Sequence, residues 1–281
     1  QHMEYIIVMD SCGEQTAAMK ADECVVPAPL TLQVDDEQIV DDETFDQAVF
    51  LKKVAASPNC PKSACPSPDY YREAFSRAEK RAYAVTLSAE LSGSYNSAAL
   101  ARDLILEDRP ELQVHIFNSR SASVGETLIT QKITECEAAG MDFAEVVETV
   151  EAYISSQNTY FVLESLEALR KNGRLSNLKA FVATALKIKP VMGATDEGTI
   201  IQLDQARGIN RALAKMVDYV VENVEDPETK VLGITHCNCP ARGEMVKNAI
   251  LERIKVKDVI LLDTAGVSSF YASDGGIIVV I

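Results

Sequence analysis

The residues with most to offer chemically lie in Leu87-Ser88-Ala89-Glu90-Leu91-Ser92-Gly93-Ser94-Tyr95-Asn96-Ser97-Ala98. This stretch follows an apolar run, Ala82 to Leu87, that reads as a buried strand. It precedes a helical spacing of apolar residues at Ala98, Ala99, Leu100, Leu104 and Ile105. A turn of small hydroxyl residues between a strand and a helix is a ready anion site. The helix start offers unpaired N–H groups and the positive end of the macrodipole. Asp10-Ser11, Ser63 with Ser67, and Asn118-Ser119 share this character. Each lies past the carboxyl end of an expected strand or just before an expected helix, the edge where open α/β sheets bind ligands. Taken singly, each serine also suits a cap or a turn. Lined by Leu, Val and Ala and without an obvious cation, a site built there suits a small negative head on a long apolar body.

Serine in a sharp turn also raises nucleophilic catalysis, with Ser92 as the candidate of a serine-dependent hydrolase or transferase. No G-x-S-x-G elbow is present. Beyond His2 there are only His115, inside a strand pattern, and His236, at a strand end, so a Ser-His-Asp triad has little to draw on. The dinucleotide fingerprint and the P-loop are absent, and no cofactor is expected. Seven cysteines occur in irregular spacing; Cys237 and Cys239 flank a strand end beside His236 without a second ligand pair. They read as structural thiols, and no metal is expected. The acidic pairs Asp35-Asp36 and Asp41-Asp42 read as solvated turns.

The elements that must position these residues alternate. Tyr5 to Met9 reads as a buried strand, Cys24 to Val34 as an edge strand broken by Pro27 and Pro29, and Thr44 to Val54 as a helix capped by Thr44 with Phe45, Val49 and Val54 inward. Ser57 to Pro68, with four prolines, reads as a loop, and Ser67-Pro68-Asp69 opens a helix. Strand Val114 to Phe117, a helix after Gly125, and a helix from Phe143 to Ile154 follow. Such βα alternation predicts a three-layer α/β domain on a parallel sheet, placed at 3–160. The second half differs. Tyr160 to Leu163, Lys189 to Ala194, Thr199 to Leu203, Val231 to Thr235, Val259 to Leu262 and Ile277 to Val280 read as strands. Helices fall at Leu166 to Lys171, Leu178 to Leu186, Ile209 to Val221 and Arg242 to Ile254, and Asp196-Glu197-Gly198 is a hairpin loop. This order predicts an α+β domain with a mainly antiparallel sheet at 161–281.

With 281 residues, 47% of them hydrophobic and 25% charged, the chain has a globular composition and room for two domains. Its net charge of −15 repels nucleic acid and anionic membranes in bulk, so no nucleic-acid partner is expected. No apolar run approaches the roughly 18 residues that span a bilayer, no signal peptide is evident, and Gln1-His2 before Met3 reads as a tag remnant; a cytoplasmic protein is expected. Against the acidic background, Arg170, Lys171, Arg174, Lys187, Lys189 and Arg207 form a concentration of cations. Two readings stand: helix-end complements to the dipole, or a docking surface for a phosphate-bearing partner.

These segments, taken in order, resemble the DegV family of bacterial fatty-acid-binding proteins nearly end to end. The opening strand and Asp10-Ser11 match its first turn, and Ser63-Ala64-Cys65-Pro66-Ser67 resembles its Thr-Ser-Gln-Pro-Ser loop. Leu91-Ser92-Gly93-Ser94-Tyr95-Asn96-Ser97-Ala98 resembles its Leu-Ser-Gly-Thr-Tyr-x-Ser-Ala segment, and Asn118-Ser119 with Gly125 its mid-domain turn. Leu166, Leu169, Asn172, Gly173, Arg174, Leu175 and Ser176 follow its Leu-x-x-Leu-x-x-Gly-Gly-Arg-Ile-Ser signature, and Ile188-Lys189-Pro190 and Gln205-Ala206-Arg207-Gly208 its later elements. The resemblance implies two α/β domains with one long-chain fatty acid buried between them, its carboxylate met by Ser63, Ser92 and Gly93, with Ser94 and Ser119 on the same edge. It implies presentation of that acid to a separate fatty acid kinase, with Arg174 and Arg207 facing the partner or the phosphate. Peripheral or transient membrane contact is compatible with such a role. Where relatives carry His-x-Gly-Pro-Gly, this chain has Tyr271-Ala272-Ser273-Asp274-Gly275-Gly276. The head-group contact is thereby expected either to weaken or to shift to Tyr271, with Asp274 near the anion. A regulatory module holding another amphiphile is the further alternative.

Overall fold

The computed structural model describes residues 3–175 and 187–281. The chain opens with strand β1 (Met3–Asp10), helix α1 (Ala17–Ala21) and strand β2 (Val25–Ala28). An insertion follows, made of β3 (Thr31–Val34), β4 (Glu37–Val40), helix α2 (Gln47–Ala56) and β5 (Lys62–Ala64). Alternation resumes with α3 (Pro68–Ser76), β6 (Ala78–Thr86), α4 (Ser94–Asp108), β7 (Gln113–Asn118), α5 (Val124–Ala138) and α6 (Phe143–Ser156). The rest comprises β8 (Thr159–Val162), α7 (Glu167–Lys171), β9 (Ile188–Ala194), β10 (Ile200–Arg207) and α8 (Ile209–Asn223). It ends with β11 (Val231–His236), α9 (Pro240–Leu251), β12 (Asp258–Asp263), α10 (Gly266–Ala272) and β13 (Ile277–Val280).

The first sheet has the order β2-β1-β6-β7 and is parallel throughout. Its strands read as continuous apolar runs because both faces are covered. Ile6 and Val8 face α3 and α4, packing on Tyr71, Phe75 and Ala98, while Ile7 and Met9 face α5 and α6, packing on Ile129, Ile133 and Val150. The second sheet runs β10-β9-β8-β13-β11-β12 and is antiparallel except for the β11–β12 pair. Helices α8 and α9 cover one face through Leu213, Met216, Val246 and Ile250. Helix α5 reaches the other, where Val124 and Leu128 meet Val280. One helix thus packs between two sheets, which is why seven successive residues, Val124 to Thr130, are buried. At Gly233 any Cβ would lie 2.7 Å from Val124, so only glycine admits the helix that closely.

Several expectations change. Cys24 to Val34 is not one edge strand: β2 lies in the first sheet, whereas β3 is the centre of a separate antiparallel sheet, β4-β3-β5. Helix α2 starts at Gln47 with Asp46 as its cap, because the Thr44 hydroxyl is turned to Asp42 (2.5 Å). Phe50 faces inward in that helix, and Val49 is exposed. The proline-rich segment carries β5. A short helix, α10, stands where no apolar periodicity announced one. The helix expected at 178–186, and Ser176 before it, lie outside the described residues.

Candidate functional site

The carboxyl ends of β1, β6 and β7 point toward the second sheet, and an apolar cavity lies where the two meet. Leu87 and Leu91 come from the β6–α4 loop, Phe161 and Leu163 from β8 and the residue after it, Ile200 from β10 and Ile278 from β13. The atom-free space is about 720 Å³, the mouth included, within the range of small-molecule sites. Its lining is almost entirely carbon. The long strands of two sheets supply this wall because their alternate side chains are free of polar partners.

Polar side chains from several elements join the lining of the cavity, Ser121, Ser123, Thr159 and Thr199 among them, whereas Ser63, Ser92 and Gly93 are not lining residues and reach the site only through their neighbours. Tyr271, on α10, lines it and places its hydroxyl 3.3 Å from Ser63 Oγ on β5. Arg174 lines it as well, its Nε donating to the Leu91 carbonyl at 2.8 Å and another nitrogen donating to the Asn172 carbonyl. The arginine is therefore folded back onto the turn that leads into Ser92, rather than extended outward. Ser92 Oγ accepts from the Ser94 N–H (3.1 Å), which closes the turn. The Gly93 N–H has no acceptor among the described residues, and Cys65 Sγ packs 3.4 Å from where a Cβ would stand. Burial pushes the Tyr271 phenol above its ordinary range, while Ser63 and the Arg174 guanidinium favour the ionised form.

Other expected residues stand elsewhere. Ser94 is fully buried, with its hydroxyl 2.6 Å from Tyr71 Oη and donating to Asp10 Oδ2 at 2.8 Å. It holds the start of α4 to β1 and does not line the cavity. Ser119 donates to the Ser121 carbonyl and accepts its N–H, both at 3.1 Å, beside a separate polar hollow. Ser67 caps α3. Asp274 is exposed and accepts from Asn238 Nδ2 (3.2 Å), away from the cavity. Of the cations, Arg170 and Lys171 pair with Glu167, and Lys189 pairs with Glu164. Arg207 is exposed at the end of β10, outside the cavity lining. His115 bonds Glu151 and His236 accepts the Cys239 N–H, so among the described residues neither histidine meets a serine.

What the sequence concealed is a set of buried carboxyls behind the site. Asp10 accepts from the Cys12 and Leu87 N–H groups and from Ser94. Glu126, fully buried, finds no hydrogen-bond donor for either oxygen among the described residues, and its neighbour is the Asp10 carboxyl. Burial, first, and then the nearby Asp10 charge push its pKa well up, which favours the neutral, protonated form. Glu14 accepts from Ser123 Oγ (2.8 Å) and the Ala265 N–H (3.3 Å), and burial raises its pKa to about 7. Asp41 is 4% exposed and its pKa is raised to about 6, again by burial. It is no solvated turn, since it accepts the N–H groups of Gly266 and Val267, both at 2.9 Å. Strain lies nearby: Arg120 and Ser123 have φ of 51° and 59°, and Ser123 Oγ is also 2.9 Å from Thr235 Oγ1 on β11. At the far part of the cavity, Ser88 Oγ donates to Gly198 O (2.7 Å), docking the β9–β10 hairpin onto the first domain.

The arrangement defines a two-domain α/β protein with an internal apolar site whose lining includes hydroxyl side chains and two arginines, Arg120 and Arg174. The family model for the DegV family, described as uncharacterised protein, matches residues 5–281. The chain belongs to the DegV family. A DegV domain-containing protein of Streptococcus pneumoniae is 36% identical over 253 residues, covering 90% of this chain and 89% of that one. A DegV family protein of Ruminococcus gnavus, whose structure is described with vaccenic acid, is 52% identical with a TM-score of 0.96, covering 99% of this chain and 100% of that one. The Streptococcus pneumoniae Fatty Acid Kinase (Fak) B3 protein, described as loaded with linoleic acid, is 34% identical with a TM-score of 0.88 and 99% coverage of each chain.

Proposed function

We propose that this protein binds one long-chain fatty acid and presents it to a separate fatty acid kinase, without chemistry of its own. The observation that carries the reading is an apolar cavity lined by Tyr271 and Arg174, with Ser63 Oγ 3.3 Å from the Tyr271 hydroxyl. The tail lies along Leu87, Phe161, Leu163 and Ile278; the carboxylate sits among Ser63, Ser92, the Gly93 N–H and Tyr271. An 18-carbon tail contributes roughly 13 kcal/mol at about 0.8 kcal/mol per buried methylene, before ordering costs. Hydroxyl and amide donors then fix the head without a fixed cation pair. Arg174 and Arg207 serve the partner, the phosphate or both. The division of the chain near residue 160 and a cytoplasmic setting belong to the same reading. It is supported by relatives described with vaccenic and linoleic acids, one of them named as a fatty acid kinase B protein.

The test is extraction. Protein purified from a bacterial host and extracted with solvent should yield about one equivalent of a C16–C18 acid by mass spectrometry, non-covalently held. Lipid-free protein that also fails to take up palmitate or oleate would overturn the reading. Addition of a fatty acid kinase and ATP to the loaded protein should convert the acid to its acyl phosphate.

A further inference from the structure

The insertion between β2 and α3 holds α10 from both ends. Its central strand β3 pairs with β4 on one side and β5 on the other. The chain leaving β4 places Asp41 at the first turn of α10, where its two carboxylate oxygens accept the Gly266 and Val267 N–H groups at 2.9 Å each. Strand β5 places Ser63 at the last turn of the same helix, against Tyr271. Between these points, Val267 and Phe270 pack on Leu30, Leu32 and Phe50 of the insertion. The fit at Asp41 is tight: a Cβ on Gly266 would stand 2.6 Å from the carboxyl, so only glycine accepts the contact. Helix α10 has seven residues, too few to hold itself in place by its own hydrogen bonds. A carboxylate on two first-turn amides makes charge-assisted bonds of fixed direction, and these set the helix along its axis and about it.

We propose that Asp41 is a positioning residue for the head-group site: by fixing the start of α10 it sets the Tyr271 hydroxyl in register with Ser63. The inference deepens the fatty-acid reading above and rests on it for its ligand-binding arm. A cap that served stability alone would not be coupled to Tyr271.

Two measurements on the full chain decide it. In protein labelled with 3-fluorotyrosine, the Tyr271 resonance is assigned by its loss in Tyr271→Phe. Asp41→Ala should shift or broaden that resonance, as should Ser63→Ala, and Asp41→Asn, which keeps one acceptor, should partly restore it. An unmoved Tyr271 resonance in folded Asp41→Ala overturns the proposal; where Asp41→Ala does not fold, Asp41→Asn is read in its place. Oleate titration supplies the second arm. Asp41→Ala should weaken binding roughly 5- to 30-fold in the parent and leave it nearly unchanged in a Tyr271→Phe background. Equal losses in both backgrounds overturn the coupling. Parent protein that binds no oleate defeats the fatty-acid reading instead, and the fluorine resonance still decides whether Asp41 positions Tyr271.

Discussion

Tyr271 Oη lies 3.3 Å from Ser63 Oγ, although 208 positions separate them in the chain. One comes from the helix before the last strand and the other from an insertion ahead of α3. A ligand carboxylate placed between them would accept from both, and the pair would exchange its mutual hydrogen bond for two charge-assisted ones.

Ser63→Ala and Ser92→Ala should each weaken fatty-acid binding by roughly 1–3 kcal/mol, the cost of removing a donor from a buried anion. Tyr271→Phe should fall in the same range. Ser63 and Ser92 are each only half-buried, so the fold should survive, with circular dichroism and melting temperature near the parent. Parent-like affinity in all three variants, measured by calorimetry with oleate, would place the head group elsewhere.

Stability should rise on mild acidification. The Glu14 carboxyl keeps its proton up to about pH 7 in the folded chain, whereas an ordinary glutamate releases it near 4.5. The folded state therefore binds more protons between those values, so the contribution is full below about 4.5 and is lost as pH rises through 7. Asp41 acts in the same direction between 3.8 and about 6. The lowered carboxyls of Asp35, Asp42 and Glu167 have the opposite sign and act below the ordinary carboxylate range. Melting temperature should thus be higher at pH 5.5 than at pH 8, and Glu14→Gln should flatten that slope. A slope unchanged by the substitution would remove Glu14 from the account.

Glu126→Gln should stabilise the protein, by about 1–2 kcal/mol at pH 8 and less at pH 5.5. The amide is neutral at every pH, whereas Glu126 must hold its proton against a rising pH to stay neutral in its buried place beside Asp10. Denaturant unfolding at the two pH values measures the difference. A loss of stability at pH 8 would mean that burial beside Asp10 does not hold Glu126 neutral.

Arg174→Ala should affect handover more than capture. Most affinity resides in the tail, so binding should weaken by about 1 kcal/mol or less, the share due to releasing the Leu91 carbonyl from the guanidinium. Acyl-phosphate formation in a coupled kinase assay should fall much further, because a positioned arginine stabilises charge on a transferring phosphoryl group. Arg174→Lys keeps the charge but not the forked geometry and should restore turnover only in part. Turnover equal to the parent in Arg174→Ala would leave the residue a purely internal tie between α7 and the Leu91 turn.

The alternation of strands and helices was legible because it is written locally. Continuous apolar runs such as Ile6 to Met9 can only be strands covered on both faces, and Ser67-Pro68-Asp69 carries its own cap. The hairpin at Asp196-Glu197-Gly198 was equally plain, since Gly198 has the positive φ (91°) that its turn requires. The short helix α10 was not, because seven residues, all but one of them buried, leave no polar face to mark a period.

The chain alone thus determined most of the strand and helix alternation and the character of the two larger sheets. Only the tertiary structure decided which hydroxyls face the apolar site. Ser94 and Ser92 sit two residues apart on one turn, yet the first is claimed by Asp10 and Tyr71, 84 and 23 positions away. Asp41 reads as a solvated turn until Gly266 and Val267 arrive from 225 positions along the chain, and Arg174 reads as an outward cation until Leu91 takes its guanidinium. The reason is physical: periodicity and turn chemistry depend on neighbours in sequence, whereas the fate of a polar side chain depends on which distant donor or acceptor burial brings within reach.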